Sequence, residues 1–327
     1  MDGLQYHSSQ GGENMHIVVL GAGALGSYFG LRLQEAGANV TFLVRKTRSE
    51  HLKRYGLAIH STQGDFHAEQ LHVETDPVNI KRPDILLVSV KGYHLAGAMD
   101  QIRTIADKGA YVLPVLNGIE HLEVLQKEIG KKKVLGGLSF IIATLNKQGH
   151  VEHTSDFHKL IFGPLHPDQA EVCSRLEKLT NKANVTGRNT DNILYELWKK
   201  YMFITAFSGI TTAVRLPIGK IRESEETFHI AKRILKEMKL LANVYNVNIT
   251  DKDVAEAIEN MQQFNAEATS SMHQDLRKKL PLELEHLHGG AIRLGKAKQL
   301  DLVYTKIIYG LIKPFENLNE RVCSTRQ

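Results

Sequence analysis

The 327-residue sequence has few cysteines, one tryptophan and no long hydrophobic run. Cys173 and Cys323 are the only cysteines, which excludes a disulfide framework and a thiolate metal site. No apolar stretch reaches the length of a membrane span, and the N-terminus lacks the apolar core of a signal peptide. We therefore expect a protein without a membrane anchor that works in the reducing cytoplasm.

A large excess of one charge is also missing, because the formal net charge is only +5 at pH 7. The basic residues are dispersed, and the run Lys131–Lys133 has no interleaved aromatic residues, so nucleic-acid binding is not expected. Attraction for an anionic cofactor and substrate explains the charge balance equally well. The sixteen histidines, His286 and His288 among them, follow no recognised metal-ligand motif. We expect no metal site.

The chain is organised around the stretch MHIVVLGAGALGSYFG, which begins at Met15. Ile17–Leu20 predicts a buried strand, and the apolar residues that follow the glycines recur at helical intervals. Gly21, Gly23 and Gly26 have the spacing G-x-G-x-x-G, which between a strand and a helix indicates a dinucleotide site. These glycines permit a sharp turn, an approach of the backbone to a pyrophosphate, and close packing of the helix on its strand. The predicted cofactor-binding residues of this loop are Gly21, Ala22, Gly23, Ala24, Leu25 and Gly26. A glycine-rich turn that binds nothing is the alternative.

Strands and helices alternate through the first half of the chain, and helices dominate the second half. Strands are predicted at Ile17–Leu20, Asn39–Val44, Leu57–Ser61, Phe66–Val73, Asp84–Val90, Ala110–Leu116 and Val134–Leu145, and separately around Val151 and at Leu160–Phe162. Helices are predicted after the glycine motif and at Leu95–Ala106, Ala170–Thr180, Ile193–Thr212, Glu225–Tyr245, Asp251–Met261, Leu282–Ala297 and Val303–Ile312. The pattern predicts an α/β fold, with a Rossmann-type doubly wound parallel sheet followed by an all-helical C-terminal domain.

Three regions are predicted along the chain. Residues 1–14 are polar and aperiodic, which is typical of a disordered extension or a tag, with Met15 as a natural start. Residues 15–189 form the predicted NADP-binding domain. Residues 190–327 form the predicted helical substrate and catalytic domain.

The end of the second strand favours NADPH over NADH. An NAD site usually has an acidic residue there, whereas this chain has Arg45, followed by Lys46 and Arg48. A guanidinium can bind a 2′-phosphate through paired hydrogen bonds, which a carboxylate would repel. Arg45 is therefore a predicted cofactor-binding residue. The alternative is a solvated basic start of a helix.

Together these features resemble the ketopantoate reductase (2-dehydropantoate 2-reductase) family, from Met15 to about Phe315. Besides the glycines, the motifs that carry the resemblance are V-S-V-K ending at Lys91, N-G at Asn117, E-L-W-K-K ending at Lys200, S-S-M-H-Q-D starting at Ser270, and L-E-L-E starting at Leu282 and followed by Gly289. The resemblance implies NADPH-dependent reduction of 2-dehydropantoate to pantoate in pantothenate biosynthesis. It also allows a homodimer.

The resemblance implies a role for each motif residue. Lys91 would lie near the nicotinamide and the substrate, and Asn117 would hydrogen-bond both, so each is assigned to cofactor and substrate binding. Lys200, rather than Lys199, would be the catalytic lysine. Ser271 would contact the substrate. Glu283 would be the active-site carboxylate and would also bind the substrate.

The chemistry of a reductase agrees with these assignments. Hydride transfer to a ketone leaves an alkoxide, which needs a proton from a group that stays protonated at working pH. A lysine such as Lys200 can supply that proton and stabilise the oxyanion, with Glu283 as its partner. Without the resemblance, Lys200 would be better interpreted as part of a solvated helix face, and Asn117-Gly118 as a turn. Lys91 stands at the carboxyl end of a predicted parallel strand, where open α/β sheets bind ligands.

The sequence departs from the family on the helical stripe of Lys200. Many members have asparagines four and eight residues after the lysine, where this chain has Ile204 and Ser208. Ser208 still offers a hydroxyl to the substrate, but Ile204 cannot hydrogen-bond. An apolar neighbour would lower the pKa of Lys200 and a charged Glu283 would raise it, and the sequence leaves this balance open. The first alternative is therefore a reductase of a different branched 2-oxo acid. A non-catalytic NADPH sensor is a further alternative, against which the presence of all these motif residues counts.

Overall fold

The computed structural model describes the backbone of residues 15–324 and the side chains of residues 15–316. The predicted extension at residues 1–14 lies outside the described residues. The chain divides into two compact units. The first unit contains the described residues up to Val90 together with His94–Leu116 and Val124–Ile193, and the second contains Lys91–Tyr93, Asn117–Glu123 and the chain from Leu194 onward. The division after Ile193 lies near the boundary predicted at residue 189, but the two short segments were not predicted.

The strands and the helices that alternate with them belong to the first unit. The strands are β1 (His16–Leu20), β2 (Asn39–Leu43), β3 (Ala58–Ser61), β4 (Phe66–His67), β5 (His72–Glu74), β6 (Ile85–Val88), β7 (Tyr111–Pro114), β8 (Gly136–Leu145), β9 (Val151–Gly163) and β10 (Thr186–Asn189). The helices of this half of the chain are α1 (Ala24–Glu35), α2 (Lys46–Tyr55), α3 (Leu95–Asp107), α4 (Glu120–Ile129) and α5 (Ala170–Thr180). Helix α4 starts in the segment 117–123 that belongs to the second unit.

The first sheet is parallel and has the order β5-β2-β1-β6-β7. Its central strand β1 is apolar and buried from Ile17 to Leu20, because strands covered on both faces need hydrophobic side chains throughout. Helix α1 follows β1 directly after the glycine loop. The parallel sheet and the helical second half confirm the predicted fold class.

A second sheet of the first unit has the order β10-β9-β3-β4, with β8 antiparallel to β9. Two strand predictions were wrong here. β9 runs unbroken over Val151–Gly163, because the polar side chains of His153 and His158 are buried within it and hide the apolar pattern. The single strand predicted at Phe66–Val73 is two strands, since β4 pairs with β3 in one sheet and β5 pairs with β2 in the other.

The second unit is helical. Its helices are α6 (Ile193–Val214, whose first residue belongs to the first unit), α7 (Ile218–Glu223), α8 (Glu225–Val244), α9 (Asp251–Gln263), α10 (Ser271–Arg277), α11 (Gly290–Ala297) and α12 (Val303–Ser324). Helix α9 starts with a capping box, in which Thr250 and Asp253 bond each other's backbone N–H groups. The helix predicted at Leu282–Ala297 is interrupted, because a π-helical turn at Glu285–Gly289 precedes α11. None of the described helices is long and apolar enough to cross a membrane.

Candidate active site

Two glycines of the motif, Gly21 in the turn after β1 and Gly26 in the first turn of α1, are required by the chain itself. Gly21 has φ +101°, a conformation that side chains rarely adopt, and this gives the sharp turn. A Cβ on Gly26 would lie 2.1 Å from the carbonyl oxygen of Gly21 and 2.2 Å from Oγ of Ser89. Glycine at position 26 therefore lets α1 lie close to the end of β1.

Gly23 differs, because nothing in the described part of the chain requires a glycine there. Its φ of −78° and ψ of −171° suit any residue, and no atom lies within 4 Å of an added Cβ. It is exposed, whereas Ala22 is buried and Ala24 and Leu25 are half-buried. Gly23 is the N-cap of α1 and supplies no side-chain cap, so the first N–H groups of the helix remain available. Open space beside these donors fits a pyrophosphate.

Ser89, a residue that the sequence analysis did not single out, holds the glycine loop. It follows β6, and its Oγ donates a hydrogen bond to the carbonyl oxygen of Gly21 at 2.7 Å. The small hydroxyl within the motif V-S-V-K was the available signal. Its contact fixes the turn that precedes the open side of Gly23.

Arg45 lies at the predicted position, immediately after β2 and at the N-cap of α2. Its side chain is exposed. Among the described residues no hydrogen bond or ion pair holds this guanidinium, so it is available to a ligand. Lys46, the next residue, is also exposed.

Glu283 brings the predicted residues of the second unit together. Its carboxylate is buried and accepts hydrogen bonds from Nζ of Lys91 at 3.2 Å and from the backbone N–H of Gly92 at 3.1 Å. Nδ2 of Asn117 lies 3.5 Å from the same carboxylate. Burial alone would raise the pKa of Glu283, but the charge of Lys91 and the donated hydrogen bonds hold it below its usual value. The carboxylate is therefore ionised.

Lys91 has a second acidic partner in Asp275, whose Oδ2 lies 2.9 Å from Nζ. Burial lowers the pKa of Lys91, but the charges of Glu283 and Asp275 outweigh burial and the net pKa is raised. Its side chain is 39% exposed. Lys91 thus stays a partly accessible cation at neutral pH. Asp275 was quoted only as part of a motif, and sequence reasoning gave it no role.

Lys200 is buried in α6, and burial lowers its pKa to about 8, while the charge of Glu283 opposes the shift. The balance that the sequence left open is therefore settled in favour of burial. The neighbouring Lys199 is different, since its Nζ pairs with Glu256 at 2.6 Å and with Asp253 at 3.1 Å, which raises its pKa. Of these two lysines, Lys200 therefore has the pKa that suits an acid catalyst.

Two glycines allow the π-helical turn at Glu285–Gly289 to approach the segments that carry Lys91 and Asn117. A Cβ on Gly92 would lie 2.6 Å from the ring of His286, and one on Gly118, whose φ is +82°, would lie 2.5 Å from the carbonyl oxygen of His286. In the segment 117–123, Glu120 pairs with Arg293 of α11 at 2.6 Å. Such π-helical turns are frequent at functional sites.

His121 was not predicted and lies beside Lys200. It is buried, and burial together with the charges of Lys200 and His286 lowers its pKa to about 3. Its ring is therefore neutral at pH 7. His288 is also buried, with its pKa lowered to about 4 by burial, and it packs against Gly209, where an added Cβ would lie 2.4 Å from Nε2.

The remaining predicted substrate residues are less closely associated with Glu283. Ser271 is exposed in the first turn of α10, and no hydrogen bond joins its side chain to another described residue. Ser270 caps α10 instead, accepting from the N–H of His273 and bonding Thr211 of α6 at 2.9 Å. On α6, Ser208 is buried and Ile204 is half-buried. Within the described part of the chain, no group of three or more metal-ligating side chains could hold a metal ion.

Comparison with known proteins identifies the family. Residues 17–167 match the ketopantoate reductase PanE/ApbA family, and residues 192–316 match the C-terminal domain of the same family. The chain belongs to the ketopantoate reductase family. The family membership confirms the resemblance that the motifs indicated, and the protein is an oxidoreductase of this family.

The relatives of this ketopantoate reductase family member include an uncharacterized oxidoreductase and a 2-dehydropantoate 2-reductase. The uncharacterized oxidoreductase YkpB of Bacillus subtilis (strain 168) is 31% identical over 92% of this chain and 99% of its own length. The crystal structure of 2-dehydropantoate 2-reductase from Geobacter metallireducens GS-15 is 25% identical, with a TM-score of 0.85 over 92% of this chain and 99% of that one.

Two more distant structures share the fold alone. D-mandelate dehydrogenase, solved with NADH and anilino(oxo)acetate, is 22% identical with a TM-score of 0.83 over 94% of this chain and all of that one. A dimeric ketopantoate reductase from Staphylococcus aureus is 18% identical with a TM-score of 0.77 over 93% of this chain and 100% of that one. The same fold therefore occurs in proteins described as 2-dehydropantoate 2-reductase and as D-mandelate dehydrogenase.

Proposed function

We propose that this protein reduces 2-dehydropantoate to pantoate with NADPH, as a step of pantothenate biosynthesis, with Lys200 as the proton donor. The observation that carries the proposal is the burial of Lys200, which lowers its pKa to about 8 in the unit that also contains Glu283, Lys91 and Asn117. An ammonium with this pKa is protonated at pH 7 and still releases its proton readily. The roles proposed below for the other site residues follow from what the reaction requires.

The reaction needs a proton at one atom of the substrate. NADPH, when bound, would supply a hydride for the ketone carbon, so that the electron pair of the C=O π bond would be left on oxygen. Nζ of Lys200 gives that oxygen a proton, so that the product is a secondary alcohol and Lys200 becomes a neutral amine. Water then returns a proton to the amine. Before the transfer, the positive charge stabilises the developing oxyanion.

The residues around Glu283 bind and orient the substrate in this proposal. Lys91 remains charged and partly accessible, which suits the carboxylate of a 2-oxo acid. Asn117 bonds the same Glu283 carboxylate and offers an amide to the substrate and the coenzyme. Glu283 orients Lys91 and Asn117, and its charge limits how far burial lowers the pKa of Lys200. Ser271 and Ser208 are the proposed hydroxyl contacts, although neither is bonded to Glu283.

The first unit is the proposed NADP-binding domain, and the helical unit is the proposed substrate domain. The open side of Gly23 and the uncapped start of α1 support pyrophosphate binding. The exposed, unbonded guanidinium of Arg45 supports a 2′-phosphate and therefore NADPH rather than NADH.

A second candidate function is the reduction of a different branched 2-oxo acid. Ile204 is half-buried and apolar where many family members have an asparagine, so the substrate hydroxyl of 2-dehydropantoate would lose a partner there. D-mandelate dehydrogenase, a protein of the same fold solved with NADH and anilino(oxo)acetate, supports the same alternative. A sensor that binds NADPH without turnover is the third possibility.

We also propose a homodimer that works in the cytoplasm. Val303, Ile307 and Leu311 recur every four residues along α12 and are 47%, 52% and 57% exposed. An apolar stripe of this kind suits an isologous contact with a second copy. The dimeric relative from Staphylococcus aureus supports the same proposal. The low cysteine content is the support for the cytoplasm.

The test is the loss of NADPH absorbance when the purified protein is given a panel of 2-oxo acids. Turnover of 2-dehydropantoate with the highest kcat/KM supports the first function, and preference for 2-oxoisovalerate or phenylglyoxylate supports the second. Binding of NADPH without turnover of any acid supports the sensor. Lys200→Ala is the control variant, because its turnover should fall roughly 100-fold or more if the observed activity depends on this lysine.

A further inference from the structure

Arg48, in the first turn of α2, bonds the glycine loop directly. Its Nε donates a hydrogen bond to the carbonyl oxygen of Ala22 at 3.2 Å. Its Nη2 donates to the carbonyl oxygen of Gly149, in the turn between β8 and β9, at 3.0 Å. The third nitrogen, Nη1, donates to Nδ1 of His51 at 3.2 Å. One half-buried guanidinium therefore ties the glycine loop to α2 and to the second sheet of the same unit.

The contact with Ala22 determines the direction of the next N–H group. A peptide bond is planar and trans, so its C=O and N–H point in opposite directions, and no described peptide bond is cis. When Arg48 holds the carbonyl oxygen of Ala22, the N–H of Gly23 is directed away from Arg48. Gly23 is the residue whose open side and helix-capping position fit a pyrophosphate.

Arg48 and Arg45 differ in whether their guanidinium groups are bonded to the protein. Arg45 is exposed and holds nothing in the described chain, as a direct ligand of a charged group would before binding. Arg48 instead donates hydrogen bonds to the backbone carbonyl oxygens of Ala22 and Gly149. Arg45 is the N-cap residue of α2 and Arg48 lies three positions further along, but of the two only Arg48 bonds the glycine loop.

We propose that Arg48 is a positioning residue for the coenzyme, which holds the Ala22–Gly23 peptide so that its N–H faces the pyrophosphate. This inference rests on the proposed use of NADPH. Because NADPH and NADH share the pyrophosphate, Arg48 sets the affinity for both, whereas Arg45 sets the preference between them.

The experiment measures dissociation constants of NADPH and NADH by fluorescence titration of the full-length protein. Arg48→Ala should weaken both coenzymes by a similar factor, roughly tenfold for the loss of hydrogen bonds from a charged group. Arg45→Ala should weaken NADPH alone. Arg54→Ala is the matched control, because Arg54 lies on the same helix, is exposed and stacks on Tyr55 rather than on the loop; it should change neither constant.

Two fragments separate positioning from a general loss of structure. ADP contains the pyrophosphate and 2′-AMP does not, so Arg48→Ala should weaken ADP and leave 2′-AMP unchanged. Arg48→Lys should recover part of the affinity, because a lysine can hold one carbonyl but not Ala22 and Gly149 in the same fork geometry. If Arg48→Ala does not fold, Arg48→Lys with the two fragments makes the same test.

The outcomes are distinct. A selective loss of NADPH in the Arg48 variants would mean that Arg48 contacts the 2′-phosphate, and the positioning role would be wrong. Unchanged constants would remove any role in coenzyme binding. If the wild-type protein bound neither coenzyme, the proposed function itself would fail, and with it this inference.

Discussion

Nζ of Lys91 donates a hydrogen bond to the carboxylate of Glu283 at 3.2 Å, although 192 positions separate the two residues in the chain. The pair keeps Lys91 charged and keeps Glu283 ionised, despite the burial of Glu283. Glu283 is also the group whose charge opposes the effect of burial on Lys200. The charge of Glu283 therefore favours the protonated form of both lysines, although burial leaves the pKa of Lys200 lowered and that of Lys91 raised.

The rate of reduction should depend on the pKa of Lys200. The proton donor is the ammonium form, which dominates below pH 8 because burial lowers the pKa to about 8. We expect kcat to be level below that pH and to fall by about tenfold per unit well above it. The reverse oxidation needs the neutral amine and should rise through the same pH. A profile of kcat in both directions, with NADPH saturating, makes the measurement; a reduction rate that stays level to pH 10 would contradict the role of Lys200.

Glu283→Gln should move that pH profile. The charge of Glu283 raises the pKa of Lys200, so its removal should lower the pKa further and shift the fall in kcat to lower pH. Asp275→Asn is the matched control, because Asp275 also pairs with Lys91 but does not act on Lys200. Both variants should raise the KM of the acid substrate through Lys91, while only Glu283→Gln shifts the profile. An equal shift in the two variants would assign the effect to Lys91 instead.

Lys200→Met should stabilise the folded protein at neutral pH. The folded pKa of about 8 lies below the ordinary lysine value of 10.5, so the unfolded chain binds the proton more tightly. This difference costs about 3 kcal/mol below pH 8 and vanishes above pH 10.5, as the unfolded lysine also loses its proton. Urea unfolding of the variant and the wild type at several pH values measures the gain, which should shrink as the pH rises. Lys199→Met, which breaks ion pairs with Glu256 and Asp253, should not stabilise at any pH.

Gly23→Ala and Gly26→Ala should separate binding from folding. A Cβ at position 23 meets nothing and the φ is ordinary, so the Tm should stay the same or rise slightly. The affinity for NADPH should nevertheless fall by at least about tenfold, because the Cβ occupies the side open to the pyrophosphate. Gly26→Ala should lower the free energy of unfolding by about 1–3 kcal/mol, because its Cβ would overlap Gly21 and Ser89. Unchanged NADPH affinity in Gly23→Ala would place the pyrophosphate elsewhere.

The sequence predicted most of the architecture, because the central strands and long helices have strong periodic patterns. β1 and α6 were found to within a few residues. The errors lie where tertiary structure overrides local pattern. β9 contains buried histidines that interrupt its apolar run, and the segment Phe66–Val73 divides its strands between two sheets. The π-helical turn at Glu285–Gly289 has no periodic signal of its own.

The site was only partly predictable for a similar reason. Motif residues such as Lys91, Asn117 and Glu283 were found by resemblance, and the structure brings them together. Asp275 and His121 act through contacts distant in sequence, and no local pattern marks them. The protonation of Lys200 depends on the balance between its burial and the opposing charge of Glu283, and the tertiary structure sets both.

The segments 91–93 and 117–123 belong with the helical unit even though each follows a strand of the parallel sheet. A polypeptide that began at Leu194 would retain Glu283 but lose Lys91, Gly92 and Asn117, the three donors to its carboxylate. That truncated chain would bury an acid without its hydrogen bonds. The two halves therefore cannot be shuffled as independent modules between proteins, and a chimaera that joins this helical half to another nucleotide-binding half must carry both short segments across with it.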